Sequence, residues 1–207
     1  MEIKKFLKAI WHFIWVEDSW LSWVVNVILA FIIIKFLVYP GLGLALGTSH
    51  PIVAVVSSSM EHPASFDNWW SLDSCCAKMG CKDKISQGLI FKEYGIEKEE
   101  FLDFPFTNGF NKGDIMILYN PDNLAIGDVL TFQTQGRSDP IIHRIIGVKE
   151  VNNQKYYQTK GDNNCASADF EKSVVEEQFV GKAVWRVPLL GWIKIGFVGL
   201  LRLVGLM

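Results

Sequence analysis

Residues Trp20 to Tyr39 read WLSWVVNVILAFIIIKFLVY, an apolar run that divides this chain of 207 residues into unlike parts. Seventeen of the twenty residues are apolar, and the exceptions are Ser22, Asn26 and Lys35. Because a helix of about 20 residues spans the roughly 30 Å hydrocarbon core of a bilayer, the run predicts a transmembrane anchor. A buried core helix is seldom so long and so uniformly apolar. The Pro40-Gly41 pair predicts the end of the helix.

The residues before this run are typical of a segment at the membrane surface. Three lysines precede the aromatic-rich stretch 9–15: Lys4, Lys5 and Lys8. Residues 1–18 are therefore predicted to lie at the inner interface, with residues 19–40 as the anchor. A basic N-terminus predicts that this end is cytoplasmic and that the rest of the chain lies outside. The run exceeds the usual length in a cleavable signal peptide, and no small-x-small site follows directly, so the anchor is predicted to be uncleaved.

The last segment, residues 188–207, is long enough to span a bilayer, but it contains Lys194 and Arg202. Each charge costs a few kcal/mol at the centre of a bilayer. Four glycines in the same stretch lower its helix propensity. These features favour a membrane-associated, in-plane segment over a second span.

The charge of the whole chain is nearly balanced, with 20 basic and 22 acidic side chains and a formal charge of −2. A nucleic-acid-binding protein usually shows a basic patch or stripe, so that function class is excluded. High hydrophobic content and few charges argue against intrinsic disorder. Residues 51–180 hold 12 basic and 19 acidic residues, whereas both ends are apolar and basic. The middle is therefore predicted to be a folded, acidic domain.

Short apolar runs separated by turn residues recur between residues 51 and 187, within the domain predicted at residues 41–187. Their β-branched and aromatic content is typical of strands. The candidate strands are Ile52–Val56, Ile115–Tyr119, Val129–Gln133, Ile141–Val148, Lys155–Thr159 and Val180–Val187. The fold is therefore predicted to be mainly β, an extracytoplasmic domain on an N-terminal transmembrane helix.

Residues 64–111 break this pattern, and they are predicted to be a loop or subdomain inserted between two strands. A short helix is predicted at Glu93–Phe101. The adjacent Trp69 and Trp70 fit two interpretations equally. Their rings either dip into the outer membrane interface, where such rings collect, or form a small satellite core.

Four cysteines lie in the part predicted to be outside the cytoplasm, where disulfides are plausible. The favoured pairing joins Cys81 to Cys75 or Cys76 and leaves the other of these two for Cys165. Free structural thiols are the alternative. A zinc site is not expected, because the spacing lacks a C-x-x-C pair and no histidine lies nearby.

Three short segments carry candidate chemistry: Ser57–Pro63, Ile141–Gly147 and Thr159–Asn164. A serine hydroxyl is a poor nucleophile at neutral pH unless a base takes its proton, and histidine suits that task. A carboxylate can then orient the imidazole and stabilise its cation. Taken singly, each segment is more typical of a turn or a core strand.

The order of these segments resembles that of the type I signal peptidases, in the archaeal and endoplasmic-reticulum branch that uses serine and histidine. The shared boxes are Ser57–Met60, then Gly113-Asp114-Ile115 with Ile126–Val129, then His143-Arg144, then Thr159–Asn164. Four boxes in this order behind an N-terminal anchor are a specific match, whereas any one box alone is not.

The resemblance implies a membrane-bound serine endopeptidase that removes signal peptides from exported proteins. Ser59 would be the nucleophile and His143 the general base of an acyl-enzyme mechanism. Ser57 and the backbone N–H of Ser59 would form the oxyanion hole, whose donors meet charge that exists only in the transition state. Met60 would line the cleft, Arg144 would be structural, and neither a metal nor an organic cofactor is required.

The third catalytic group is less well defined by the resemblance. The endoplasmic-reticulum enzymes have an aspartate six residues after the aspartate of the Gly-Asp pair, but that offset gives Ala168 here. Asp169, one residue further on, is the first candidate, and Asp162 is the second. His62 is a rival base by sequence, although its place three residues after Ser59 is more typical of local loop structure.

Signal peptides carry small residues at the first and third positions before the cut, which implies two shallow apolar subsites. The candidate wall residues are Val53, Val55 and Ile142. The expected partners are preproteins that bear signal peptides, the lipid bilayer and the translocon, with no nucleic acid. The expected location is the cell membrane, with the N-terminus cytoplasmic and the catalytic domain on the outer face.

Three other functions fit the same sequence. The first is a non-catalytic, membrane-anchored β module that binds exported or membrane partners, and the extra His62 and the shifted Asp169 keep it open. The second is a related membrane peptidase with a different substrate, such as a pilin-like precursor. The third is a self-cleaving protease of the repressor type, which has a similar β fold but usually a soluble DNA-binding domain as well.

Overall fold

The structure is a computed structural model that describes residues 2–75, 84–137 and 139–203. The chain forms two compact units, residues 1–45 and residues 46–207. The first unit is helical, and the second is built around a β sheet.

Helices α1 (Glu2–Trp15) and α2 (Trp20–Ile33) begin the chain, and α2 continues through a π-helical turn (Ile34–Val38) into α3 (Tyr39–Leu46). Residues 20–46 thereby make one apolar helix of 27 residues, long and apolar enough to cross a membrane. Only 6% of its span is buried within the protein, whereas the core helix of a soluble protein is mostly buried. The helix therefore supports the predicted membrane association.

The apolar helix does not end at Pro40-Gly41 as the sequence predicts, since α3 continues to Leu46. Proline lacks an N–H, and its ring clashes with the carbonyl four residues earlier in a regular α-helix. The π turn lies immediately before Pro40, and there the N–H of Tyr39 reaches back five residues to the carbonyl of Ile34. This wider turn accommodates the ring, so the helix is not broken.

Two of the polar exceptions in the apolar run have a structural role. The Ser22 hydroxyl donates to the carbonyl of Phe13, and the side-chain amide of Asn26 donates to the carbonyl of Ile14 at 2.9 Å. Both carbonyls lie in the last turn of α1, where a helix has no partners of its own to offer them. The two side chains therefore fasten the end of α1 to α2.

Six antiparallel strands form the main sheet of the second unit. Their bounds are β1 Ile52–Ala54, β4 Ile115–Tyr119, β5 Val129–Phe132, β6 Ile141–Val151, β7 Gln154–Lys160 and β8 Phe179–Val187. Their order across the sheet is β1-β4-β8-β5-β6-β7. Each of the six overlaps a strand predicted from sequence, so a mainly β domain is confirmed. A separate hairpin of β2 (Asp73–Cys75) and β3 (Lys84–Ser86) is not foreseen by the sequence pattern.

Residues 64–111 run between β1 and β4, which are neighbours in the sheet, and belong to the same compact unit. Besides the hairpin, the described residues of this range, 64–75 and 84–111, contain three short helices: α4 Phe66–Ser71, α5 Gln87–Glu93 and α6 Lys98–Leu102. The helix predicted at Glu93–Phe101 is wrong in its bounds, because α5 ends where that helix should begin. Gly95, with a φ of +78°, lies between α5 and α6 and turns the chain.

The aromatic side chains of this segment form a buried cluster, which we call the aromatic cluster. Its members are Phe66, Trp69, Trp70, Phe91 and Phe101. Trp69 is fully buried and Trp70 is 7% exposed, so the satellite core is the correct interpretation of the tryptophan pair.

Helix α7 (Trp192–Leu203) follows β8 and is packed against the Gly-Asp box. Gly113 has a φ of +92°, and a Cβ at this position would lie 2.0 Å from Nε1 of Trp192. The 12 described residues of α7 extend over about 18 Å, which is less than the hydrocarbon core. An in-plane disposition of residues 188–207 stays a prediction.

Candidate active site

The turn after β1 presents two serine hydroxyls. The N–H of Glu61 donates to the carbonyl of Ser58 at 3.1 Å, and the N–H of Phe110 donates to the carbonyl of Met60 at 3.0 Å. These bonds hold the turn against the segment that follows. The hydroxyls of Ser57 and Ser59 lie 3.0 Å apart, and Ser59 is only half-buried.

His143 lies on β6 beside Ser59. Its Nε2 is 2.8 Å from Oγ of Ser59, which is hydrogen-bond reach for a proton transfer. Its Nδ1 contacts the carboxylate of Glu171. The imidazole therefore bridges a hydroxyl and a carboxylate, which is the arrangement that makes a serine nucleophilic.

Glu171 is 1% exposed and ends the 3-10 turn Asp169–Glu171. One of its carboxylate oxygens accepts the N–H of Ala168 at 2.9 Å, and the other accepts the hydroxyl of Thr159 at 3.2 Å. Each oxygen of this buried carboxylate thus has a donor. The hydrogen bonds fix the carboxylate in the position where it meets Nδ1 of His143.

The two predicted acids are not at His143, and this is a correction. The carboxylate of Asp169 is 95% exposed and pairs with Lys172 at 2.6 Å. Asp162 is fully buried and pairs with Arg144 instead. His62, the rival base, also bonds Asp162, with 3.1 Å between Nε2 and Oδ2. His62 therefore lies in the cluster around Asp162, and His143 is the histidine that contacts Oγ of Ser59.

The alternation of side chains along β6 and β7 separates two sets of residues. Arg144 pairs with Lys160 in the register, and Ile145 pairs with Thr159. Since successive side chains in a strand point to opposite faces, His143 and Thr159 share one face while Arg144 and Lys160 share the other. The first face holds the Ser-His-Glu contacts, and the second holds a buried charge cluster.

Asp162 is the centre of that cluster. Its carboxylate accepts from Nε of Arg144 at 2.8 Å and from an Nη of Arg144 at 2.7 Å, besides the contact to His62. Burial by itself would raise the pKa of this carboxyl, but the Arg144 charge and the hydrogen bonds from His62 and Arg144 hold the pKa well below its usual range. Asp162 is therefore ionised, and it neutralises Arg144.

Lys160 is completely buried in the same cluster. Its ammonium group donates to three backbone carbonyls, those of Gly161 at 2.9 Å, Asp162 at 3.3 Å and Asn164 at 2.9 Å. Burial lowers its pKa to about 7, although the charges of Asp162 and Glu171 act in the opposite direction. Lys160 thereby binds the inside of the loop 161–164.

The loop 161–164 packs directly against the serine turn. The N–H of Asn163 donates to the carbonyl of Ser59 at 2.8 Å, and the N–H of Asp162 contacts Sδ of Met60 at 3.3 Å. A Cβ on Gly161 would lie 2.8 Å from the carbonyl oxygen of Ser59 and 2.9 Å from its Cβ. Glycine is therefore the residue that lets the loop approach the serine so closely.

A cleft of about 680 Å³ opens beside Ser59 and His143. Of the predicted wall residues, Val53 and Ile142 line it, together with Ala54, Val56 and the segment 166–171. Val55 and Met60 do not line it, because both are buried in the main core at 2% and 1% exposure.

Cys165 lies on the connection that leads from the loop 161–164 to Glu171, and it is disulfide-bonded. The predicted bond between Cys81 and Cys75 or Cys76 lies outside the described residues. Within the described ranges, no group of three or more His, Cys, Asp or Glu side chains is arranged to hold a metal ion.

Several curated proteins similar to this chain carry the name signal peptidase complex catalytic subunit SEC11. The protein from Candida tropicalis is 30% identical over 112 residues, which is 45% of this chain and 67% of that protein. The chain belongs to the SEC11 family of signal peptidases. The SEC11 protein of Scheffersomyces stipitis is 33% identical over 93 residues, and that of Plasmodium falciparum is 40% identical over 57 residues. These matches cover 42% and 27% of this chain.

The resemblance to type I signal peptidases of the endoplasmic-reticulum branch is thus confirmed. The chain covers 56% of the Scheffersomyces stipitis SEC11 protein and 31% of the Plasmodium falciparum one. No protein-family model matches the chain. The shared SEC11 name, together with the apolar helix Trp20–Leu46, makes this a membrane protein of a peptidase family.

Glu171 is the site residue that the sequence analysis missed. The resemblance predicts an aspartate six or seven residues after Asp162, whereas Glu171 follows it by nine. Glutamate is one methylene longer than aspartate, so its carboxylate can reach the imidazole of His143 from a position further along the chain. The sequence does contain two acidic residues close together, Asp169 and Glu171. Only their burial in the folded protein shows which of the two can contact His143.

Proposed function

We propose that this chain is a membrane-anchored serine endopeptidase that removes signal peptides from exported proteins. The observation that carries the proposal is the 2.8 Å contact between Oγ of Ser59 and Nε2 of His143 at the edge of an open cleft. The SEC11 relatives supply the substrate class, because their name makes them catalytic subunits of signal peptidase complexes.

In the proposed reaction, Oγ of Ser59 attacks the carbonyl carbon of the scissile bond while Nε2 of His143 takes the hydroxyl proton. His143 then gives this proton to the leaving amine as the C–N bond breaks, which leaves an ester on Ser59. Water attacks the ester in the second half, with His143 again taking and returning a proton. Glu171 holds the imidazole in the required tautomer and stabilises its cation.

The developing negative charge on the carbonyl oxygen needs preorganised donors. We assign this role to the hydroxyl of Ser57 and the backbone N–H of Ser59. The hydroxyl of Ser57 lies 3.0 Å from that of Ser59, on the exposed side of the turn, where a substrate carbonyl has access. Val53 and Ile142 are the proposed walls of the subsites for small side chains.

The proposed location is the cell membrane, with the N-terminus in the cytoplasm and the β domain on the outer face. The lysines of α1 support this orientation, because cytoplasmic segments beside a membrane span carry an excess of lysine and arginine. Preproteins emerge at the translocon with their apolar segments in the membrane, so association with the translocon follows from the substrate class. We also propose residues 64–111 as an inserted subdomain of the peptidase.

Replacement of Ser59 by alanine tests the function. The full chain is reconstituted in liposomes with a precursor that bears a signal peptide, and the mature product is quantified. Ser59→Ala should abolish processing, whereas Ser58→Ala, a change at the neighbouring exposed serine, should retain it. Normal processing by Ser59→Ala would refute the serine mechanism. Cleavage of a pilin-like precursor but of no signal-peptide precursor would assign the enzyme to a different substrate.

A further inference from the structure

Three basic side chains beside the active site each lie against an aromatic ring from residues 64–111. The pairs are His62 with Trp69, Arg144 with Phe101 and Lys160 with Phe91. All three basic residues are buried, and all three bond to Asp162 or to the loop that contains it.

We propose that the aromatic cluster positions the loop 161–164 against Ser59, with Trp69, Phe91 and Phe101 as positioning residues that act through these three basic side chains. The catalytic part of this inference rests on the proposed role of Ser59 as the nucleophile. The sequence boxes assign no role to residues 64–111, whereas these ring contacts assign one to Trp69, Phe91 and Phe101.

Lys160 shows how an aromatic ring acts on the loop. Its three carbonyl acceptors need three N–H donors, which only the charged ammonium provides. The centroid of the Phe91 ring lies 4.1 Å from Nζ, so the ring face stabilises the charge in a site that water does not reach. Without that face, the ammonium would be less favourable in the core, and the loop would lose donors.

Arg144 contacts an aromatic ring and two backbone carbonyls of residues 101–106. Its guanidinium lies 4.7 Å from the centroid of Phe101. It also donates to the carbonyl of Pro105 at 2.8 Å and to that of Phe106 at 3.2 Å. These contacts hold the guanidinium in the orientation in which it grips both oxygens of Asp162.

His62 completes the set. Its ring is stacked on Trp69 with centroids 3.5 Å apart and planes 8° apart. The stacking fixes Nε2 at 3.1 Å from Oδ2 of Asp162.

The loop transmits this support to Ser59 through the Asn163 N–H bond to the Ser59 carbonyl and the tight contact at Gly161. A displaced loop would let Oγ of Ser59 move away from His143. Because a misplacement of about 1 Å can cost about 100-fold in rate, the support is expected to affect kcat more than KM.

The test compares Phe91→Leu with Phe66→Leu in the full-length protein in detergent micelles. Both substitutions remove a buried ring of the aromatic cluster, but among the described residues Phe66 has no cation against its ring. Amide hydrogen exchange of the peptide that contains residues 161–164 is the first readout. We expect Phe91→Leu to speed its exchange about tenfold and Phe66→Leu to leave it unchanged. Should Phe91→Leu not fold, Phe91→Met and Phe66→Met form the replacement pair.

The second readout is the cleavage of a signal-peptide precursor, for which Phe91→Leu should lower kcat about tenfold with little change in KM. Equal exchange and equal kcat in the two variants would overturn the positioning role. Absence of cleavage by the wild-type protein would instead refute the proposed function, and the exchange comparison would still decide whether residues 64–111 hold the loop.

Discussion

Arg144 and Lys160 lie opposite each other in the register of β6 and β7, with both side chains fully buried on the same face of the sheet. Two like charges side by side in a core are unfavourable unless each is compensated. Asp162 neutralises Arg144, and three carbonyls of the loop 161–164 accept from Lys160. One loop thus satisfies both cations, and the same loop contacts Ser59.

Glu171 is expected to be needed for catalysis. Glu171→Gln keeps the shape of the side chain but removes the charge that orients and stabilises the imidazole, so kcat should fall about 100-fold or more. Asp169→Asn, two residues away and exposed, is the matched control and should leave kcat unchanged. Kinetics of precursor cleavage measure both. A larger loss in Asp169→Asn than in Glu171→Gln would restore the assignment made from sequence.

Asp162 should make the folded protein sensitive to acid. Its pKa is lowered in the folded state, so its contribution to stability is complete above the ordinary aspartate pKa of about 3.9 and is lost as the pH falls below that value. The melting temperature of the full-length protein in detergent, measured from about pH 5 to about pH 2, should therefore drop steeply.

Asp162→Asn should remove this part of the acid dependence. At neutral pH the variant should also be less stable by about 3–5 kcal/mol, because Arg144 keeps its buried charge without a partner. An acid transition in Asp162→Asn as steep as that of the wild type would show that other carboxyls control it.

Lys160 should give stability the opposite pH dependence. Burial lowers its folded pKa to about 7, whereas a lysine in the unfolded chain titrates near 10.4. Between these values the unfolded chain binds one more proton than the folded protein, so stability should rise with pH. The difference in melting temperature between the wild type and Lys160→Met should grow in favour of the wild type from about pH 7 to about pH 10.

Lys182→Met is the matched control for Lys160→Met, because both lysines lie on the main sheet. Its ammonium pairs with Asp128 at 2.7 Å and is partly exposed. This variant should run parallel to the wild type over the same pH range. A pH-independent difference between the wild type and Lys160→Met would contradict a folded pKa near 7.

We expect Ser22 and Asn26 to stabilise the end of α1 without affecting the rate of precursor cleavage. The double variant Ser22→Ala and Asn26→Leu removes both donors to the last turn of α1. Amide exchange in the last turn of α1 should then accelerate in reconstituted liposomes, because an end without partners frays. Precursor cleavage should stay at the wild-type rate. Val27→Leu, on the exposed side of the helix, is the control, and equal exchange in both proteins would refute the fastening role.

The strands were predictable because local signals define them, whereas His143 was singled out by the order of the boxes that resemble those of the signal peptidases. Short apolar runs bounded by turn residues mark all six strands, and β6 carries His143 within such a run. The end of the anchor was predicted wrongly, since Pro40 is a strong local signal that a π turn overrides. In the same way, nothing local distinguishes a tryptophan at a membrane interface from one in a core, and only packing decided for Trp69.

The carboxylate that contacts His143 was not predictable, because its identity depends on the length and path of the connection from residue 162 to residue 171. Asp169 and Glu171 have the same charge and lie two residues apart, yet one is exposed and the other meets His143. The choice depends on the 3-10 turn and on the N–H of Ala168, which captures the longer side chain. Neither the 3-10 turn nor this hydrogen bond can be inferred from the spacing of residues in the sequence.

At Gly161 only a hydrogen atom separates the loop 161–164 from Ser59. No side chain fits there without pushing Ser59, since atoms of Ser59 lie within 2.9 Å of the place a Cβ would occupy. In a library randomised at position 161 and selected for secretion, glycine should be recovered almost alone. Second-site revertants of Gly161→Ala should map to the turn around Ser59, so size at one loop position and the geometry of the serine must evolve together.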